Sequence, residues 1–417
     1  MYPESMRLVR RVAPLAAMLW AAVAASASQA DQKANLCGQV PTIASELTQI
    51  SGLPLKHPVP CDFITKDKVK EFLEKRVKEE TRPDDIRAEE LVLKKFGFVP
   101  QDFNLATSTV DLLTEQAAAF YDYNRKKLFI TETKSTDPLE PVLAHELAHA
   151  LADQSFNLAK YIKQGRKSDD GSSARLAVME GQATWLMSEY MARRNGQSLR
   201  ESPELAKAMS NMSETGGEQF PVYDKSPLYL RVTLIFPYTK GLLFQNAVVQ
   251  RYGNDGFAVV FRHAPVSTQQ IIHPDKYFAD VKPTDPPLPD PKLPHSYKGL
   301  IGGSFGELEH GILLDDAVGK EQSAEISPHW RGCSFELRED KKAGRDVLLY
   351  ASDWDSEAGA QQFFAAYRKM LARKWKSLKV ASESATEVTG SGDDGRFVLR
   401  LSGTRVTSVE GLDPAID

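Results

Sequence analysis

Residues 142–156 read VLAHELAHALADQSF, an apolar stretch with helical character that carries His145, Glu146 and His149. Residues four apart on an α-helix differ by about 40° in direction and about 6 Å along the axis, so both imidazoles project from one face as a chelating pair. Glu146, one step from His145, points roughly 100° away. It is placed beside a cation held by the two rings, where it can act on a water molecule. With eight His in 417 residues, chance supplies an H-E-x-x-H match on the order of 0.01 times. The plainer alternative is two histidines on the surface of a helix.

A catalytic zinc ion takes three protein ligands and keeps one position open. The third ligand is expected from a helix over residues 174–194, where Glu180 stands among Leu176, Val178, Met179 and Ala183. A carboxylate in such company is expensive to bury unless a cation meets it. His145, His149 and Glu180 then form a His₂Glu metal set, and Glu146 is the general base. Glu180 as a helix-start acid with no metal contact is the alternative. The chemistry expected is amide hydrolysis, which also needs a group to stabilise the developing oxyanion. Tyr238 is the candidate, against the reading of a core tyrosine.

These pieces together resemble the gluzincin metallopeptidases: HELAH at 145–149, followed by a downstream helix with the pair Glu180-Gly181. Within that group, Pro237-Tyr238-Thr239-Lys240-Gly241 resembles the Tyr-x-Lys-Gly segment of the gluzincin aminopeptidases, which implies an oxyanion-stabilising role for Tyr238. The order of the three pieces matches, and the resemblance covers roughly residues 139–253. It implies a zincin-like, mostly helical catalytic domain and zinc as cofactor. Between His149 and Glu180 lie 30 residues, a longer interval than in the aminopeptidases. The charged stretch 165–173, GRKSDDGSS, is expected to absorb the excess as a loop. The chain has no Gly-x-Met-Glu-Asn-type segment, so recognition of a substrate's N-terminal amine is not carried over. As a whole the sequence is most similar to uncharacterised secreted bacterial proteins of the HExxH type.

Composition sets the frame for this reading. The chain has 42% hydrophobic and 26% charged residues with a formal net charge of −4, as in an ordinary globular protein large enough for two or three domains. Acidic residues outnumber basic ones and no long basic block occurs, which argues against nucleic acid as a partner. At the N-terminus Arg7, Arg10 and Arg11 precede an apolar run and then small residues, the pattern of a signal peptide over 1–30. Export to the periplasm or medium follows, with no stable membrane insertion after cleavage. An oxidising compartment allows Cys37 and Cys61 to pair. Cys333 is expected to be a buried small apolar residue. Having no Cys-rich zinc pattern, the chain must build any metal site from His and carboxylate.

The expected organisation is a Pro-rich segment over 31–61, a zincin-like domain over 62–280, a Pro-rich linker over 281–303, and a C-terminal helix with a small α+β unit over 304–417. The fold class expected is α+β, mostly helical with a small sheet. Residues 118–131 read as a hairpin with a polar tip at 123–126. Phe129 and Ile130 are candidates for an edge strand that holds a substrate backbone, or for a strand that merely completes the sheet. The His helix is expected to run to about 163, and a further helix from 236 to about 251. Ser304 and Glu307 have capping-box spacing for a helix ending near 318. Asp153 is a candidate to orient a ligand imidazole, or a surface acid. His273 is an alternative donor to Tyr238, or a packed residue. Glu307, Glu309 and His310 are assigned to capping and solvation, not to a second metal.

The function expected is hydrolysis of a peptide or protein substrate by a zinc metallopeptidase. A catalytically inactive binding or scaffold protein on the same fold, and a zinc amidase acting on a cell-wall bond, are the competing readings.

Overall fold

The computed structural model describes residues 29–132, 139–166, 168–214 and 220–414. Residues 1–28 of the expected leader lie outside them. The first element, α1 (Gln29–Ser51), is a continuous helix through Pro41 and takes up most of the stretch read as a Pro-rich segment. Its buried stripe of Val40, Ile43, Ala44, Leu47 and Ile50 repeats at helical spacing. That burial offsets the roughly 3 kcal/mol that an internal proline costs. A Cys37–Cys61 disulfide ties α1 to the strand β1 (Cys61–Ile64).

Helices at Lys66–Glu80, Pro83–Phe96 and Leu105–Gln116 follow, and then the expected hairpin of β2 (Ala119–Asp122) and β3 (Lys127–Thr131). The three-stranded sheet has the order β1-β3-β2, because β1 pairs in parallel with β3. Phe129 and Ile130 are therefore on the central strand. The strand with a free side toward the His helix is β2.

The His helix, α2 (Glu140–Phe156), stops at Asn157, which has φ 57°. Asparagine tolerates this left-handed conformation, and its side chain accepts from Lys160 N to start a separate short helix, Leu158–Gly165. The next helix, α3 (Asp169–Arg194), starts earlier than expected. Ser168 caps it by accepting from Gly171 N, and Asp169 and Asp170 lie at the positive end of the dipole. The interval between His149 and Glu180 is thus taken up by a short helix and added turns of α3, not by a charged loop. Helix α4 (Leu228–Tyr252) runs unbroken through Pro237 and also exceeds the expected span.

Residues 283–294 form a strap across one face of a second sheet, where Leu288 and Leu293 pack with Tyr297, Val347 and Leu349. This sheet begins with β4 (Lys298–Gly303), inside the stretch expected to be linker. Helix α5 (Glu307–Val318) starts at Gly306, whose N–H donates to Glu309 Oε2; the working pair is Gly306 with Glu309, not Ser304 with Glu307. Next come β5 (Trp330–Asp340), β6 (Arg345–Trp354), α6 (Glu357–Lys374), β7 (Lys379–Glu383), β8 (Glu387–Gly392), β9 (Gly395–Ser402) and β10 (Arg405–Leu412). The strand order is β4-β5-β6-β10-β9-β8-β7, with antiparallel neighbours throughout.

The fold is α+β. One apolar core joins its two parts: the Phe96 ring lies 4.7 Å from Phe305, 5.6 Å from Phe335 and 5.7 Å from Tyr350. No described helix is long and apolar enough to cross a membrane.

Candidate metal centre

Helices α2 and α3 bring three ligand atoms to one point. His145 Nε2 lies 3.1 Å from Glu180 Oε2, His149 Nε2 lies 3.2 Å from the same oxygen, and the two ring nitrogens are 3.1 Å apart. All three residues are buried. The ligands of a tetrahedral zinc ion at about 2.0–2.1 Å stand about 3.3 Å from one another, so the observed triangle is close to that size. Glu180 Oε1 is buried without a well-formed hydrogen bond. Two imidazoles and a carboxylate aimed at one point, with a spare carboxylate oxygen, fit a divalent cation of the zinc class.

The electrostatics fit the same picture. Burial works against charge on Glu180, but His149 and hydrogen bonds from both imidazoles pull its carboxyl down to about 2. Burial lowers His145. It opposes charge on His149 too, but Glu180, Glu146 and Asp153 outweigh it and raise that ring. Burial pushes Glu146 up to about 8, although His149 and the Tyr121 N–H draw it back. Burial opposes charge on all four groups; the attraction between Glu180 and His149 outweighs it at those two, while His145 and Glu146 are shifted toward their neutral forms, and a cation at the centre favours the ionised carboxylates.

Glu146 is aimed by the edge strand. Tyr121 N–H, on the free side of β2, donates to Glu146 Oε2 at 2.6 Å, and the Tyr121 hydroxyl donates to Asp153 Oδ2 at 2.9 Å. Lys126 Nζ, at 2.6 Å, and Leu158 N, at 3.0 Å, also reach Asp153. Asp153 is consequently neither a surface acid nor a hydrogen-bond partner of His149; it clamps the hairpin to α2. Tyr121 was not legible from the sequence, because the contact uses its backbone and depends on which strand is the edge.

Tyr238 comes from α4. Its ring lies 5.8 Å from that of His145 at 28°, and its hydroxyl reaches Glu180. Burial and the nearby charges of Glu180 and Glu146 raise it well above the usual tyrosine value, so it stays protonated and able to donate. Its position follows from how α3 and α4 cross. A Cβ on Gly181 would lie 2.2 Å from the Gly241 carbonyl carbon, and one on Gly241 would lie 2.3 Å from Ala177 O. The glycines after Glu180 and Lys240 are the contact that lets two backbones meet and sets Tyr238 over Glu180.

The other candidates are engaged elsewhere. His273 Nε2 pairs with Glu307 Oε1 at 2.8 Å. Glu307 also accepts from Gln269, and Glu309 caps α5. His310 bonds Gly306 O and the Tyr350 hydroxyl, each at 2.7 Å. All three residues of this cluster are buried, so it caps and packs without being solvated. Cys333 is buried and unpaired by disulfide.

A family described as a domain of unknown function, DUF8575, matches residues 299–416, which is the second sheet with α5 and α6. Neither the curated proteins nor the solved structures contain a match to the chain.

Proposed function

We propose that this protein is an exported zinc-dependent metallopeptidase of the gluzincin type, with the metal held by His145, His149 and Glu180. The observation that carries the reading is the convergence of these three ligand atoms to 3.1–3.2 Å with Glu146 beside them. Zinc, when bound, polarises a carbonyl oxygen and makes a water acidic near neutral pH. With the cation held there, Glu146 would be ionised, and its carboxylate would take a proton from that water and return it to the leaving amine. Tyr121 N–H holds Glu146 in place through Oε2. Tyr238, kept protonated by its surroundings, donates to the oxygen on which negative charge grows. Burial of the whole set keeps competing water out and strengthens each of these interactions. A Cys37–Cys61 bond suits an oxidising compartment.

The test is zinc stoichiometry of the purified chain together with digestion of a mixed peptide library and a peptidoglycan preparation, each with wild type and Glu146→Gln. One zinc per chain and peptide cleavage that falls by about 10²–10⁴ in the variant are expected. Cleavage surviving Glu146→Gln overturns the mechanism. Release of cell-wall fragments alone favours the amidase, and zinc-free protein without hydrolysis favours a scaffold.

A further inference from the structure

Glu146 and Asp153 both belong to α2 and are seven residues apart. Seven residues are close to two helical turns, so the two carboxylates share a face and stand about 10 Å apart along the axis. Tyr121 of β2 touches both: its N–H donates to Glu146 Oε2 at 2.6 Å and its hydroxyl to Asp153 Oδ2 at 2.9 Å. We infer that Tyr121, Lys126 and Asp153 are positioning residues that hold Glu146 beside the three ligand atoms, with Lys126 as the charge that keeps Asp153 in place. The inference rests on the metallopeptidase reading and adds to it three residues outside the ligand set.

The attachment of Tyr121 at two points is the first observation that carries it. A strand tied to a helix at one atom can slide or tilt about that bond. One tied by its N–H and its hydroxyl to points two turns apart is fixed in register. Strand β2 has only four residues, and β3 is its one neighbour in the sheet. Apolar packing on its other side has no direction, whereas these hydrogen bonds do.

Asp153 supplies the second observation. Its side chain is fully buried, and it lies near the C-terminal end of α2, where the helix dipole disfavours negative charge. A carboxylate there needs donors, and it has the Tyr121 hydroxyl, Lys126 Nζ at 2.6 Å and Leu158 N at 3.0 Å. Lys126 brings the opposite charge among them.

The third observation is the backbone at Lys126. It has φ 54°, a left-handed conformation that glycine or asparagine takes at less cost than lysine. The turn itself is made by Asp122, whose Oδ1 accepts from Asn124 N and Arg125 N, so it does not call for a lysine. The residue held at this cost is the one whose amine reaches the buried acid, and strain of this kind gathers where a side chain has a task.

The test follows the full chain loaded with zinc through three variants. Tyr121→Phe keeps the N–H and loses the hydroxyl, Lys126→Gly relieves the turn and removes the amine, and Lys126→Arg keeps the charge. Two quantities are read: amide hydrogen exchange at residue 121 by NMR, and steady-state kinetics with a cleaved library peptide. In Tyr121→Phe and Lys126→Gly the residue 121 amide is expected to exchange about 10-fold faster than in wild type. Their kcat is expected to fall by about 10- to 100-fold with KM and zinc content unchanged. Lys126→Arg is expected to keep both quantities near wild type. A lysine that served the turn alone would leave Lys126→Gly at wild-type values, since glycine suits this φ. Wild-type kcat in Tyr121→Phe and Lys126→Gly overturns the inference and leaves the metallopeptidase reading intact, as does Lys126→Arg behaving like Lys126→Gly. A fall in kcat that comes with loss of zinc or an equal rise in KM marks general damage and also overturns it. Failure of the wild type to bind zinc or to cleave any peptide overturns that reading, and the inference with it.

Discussion

Tyr238 and Glu146 flank the same three ligand atoms but differ in what they ask of their surroundings. On the metallopeptidase reading Glu146 exchanges a proton, and the Tyr121 N–H bond to Oε2 fixes which oxygen is free to do so. Tyr238 must keep its proton, and burial beside two carboxylates ensures this. Replacing Tyr238 by Phe removes one donor and leaves the ring against His145. On the metallopeptidase reading, kcat is expected to fall by about 10²–10³ with KM little changed, and zinc content is expected to stay at the wild-type level. Steady-state kinetics with a cleaved library peptide, alongside metal analysis, checks both parts. An unchanged kcat returns Tyr238 to the role of a core tyrosine.

At the scale of elements, the crossing of α3 and α4 determines whether a site exists at all. Gly181 and Gly241 meet backbone to backbone, so an added methyl has nowhere to go without separating the helices. Gly241→Ala is expected to destabilise the fold by about 1–3 kcal/mol and to weaken zinc binding, since Glu180 and Tyr238 lie beside the wedge. Gly311→Ala is the control, because a Cβ there meets nothing within 4 Å and alanine favours a helix over glycine. Urea unfolding and zinc titration of the two variants separate the local wedge from a general effect of losing a glycine.

The strands show why some elements could be read and others not. The hairpin of β2 and β3 announced itself by apolar flanks around a polar tip. Strand β5 is buried at most of its positions and fully exposed at none, so it lacks the alternation that marks a strand with one wet face. Strand β7 is exposed at every position and carries no apolar signal. Helix α1 was hidden by Pro41, since the cost of that proline is local and the burial that offsets it is not.

Across the whole molecule, the C-terminal unit is bonded to the part that carries the candidate metal centre through a buried polar contact, Leu308 N to Thr268 Oγ1, and a shared aromatic core. His310 lies inside the C-terminal unit, against Trp330, Trp354 and Phe363. It is fully buried, and its two neighbours set its tautomer: Nδ1–H donates to Gly306 O, and Nε2 accepts from the Tyr350 hydroxyl. Burial pushes its pKa from 6.5 down to about 4. Between these values the unfolded chain binds the proton and the folded chain does not, so stability rises with pH over that window. The contribution is complete above about pH 6.5 and is lost as the pH falls toward 4, amounting to about 3 kcal/mol in all. Urea midpoints of wild type and His310→Gln at pH 7, 5.5 and 4 test this. The wild type is expected to lose more stability on acidification than the variant, and parallel losses would exclude His310 as the cause.

The local part of the site is legible in the sequence alone. Helical period places His145 and His149 on one face with Glu146 beside them, and the cost of burying charge singles out Glu180 among its apolar neighbours. Both arguments need only a few consecutive residues. Which remote atoms meet is a matter of long-range packing: the Gly181–Gly241 crossing that sets Tyr238 over Glu180, and the identity of β2 as the edge that holds Glu146. Each depends on how closely two distant backbones approach, and no periodicity along the chain encodes that distance.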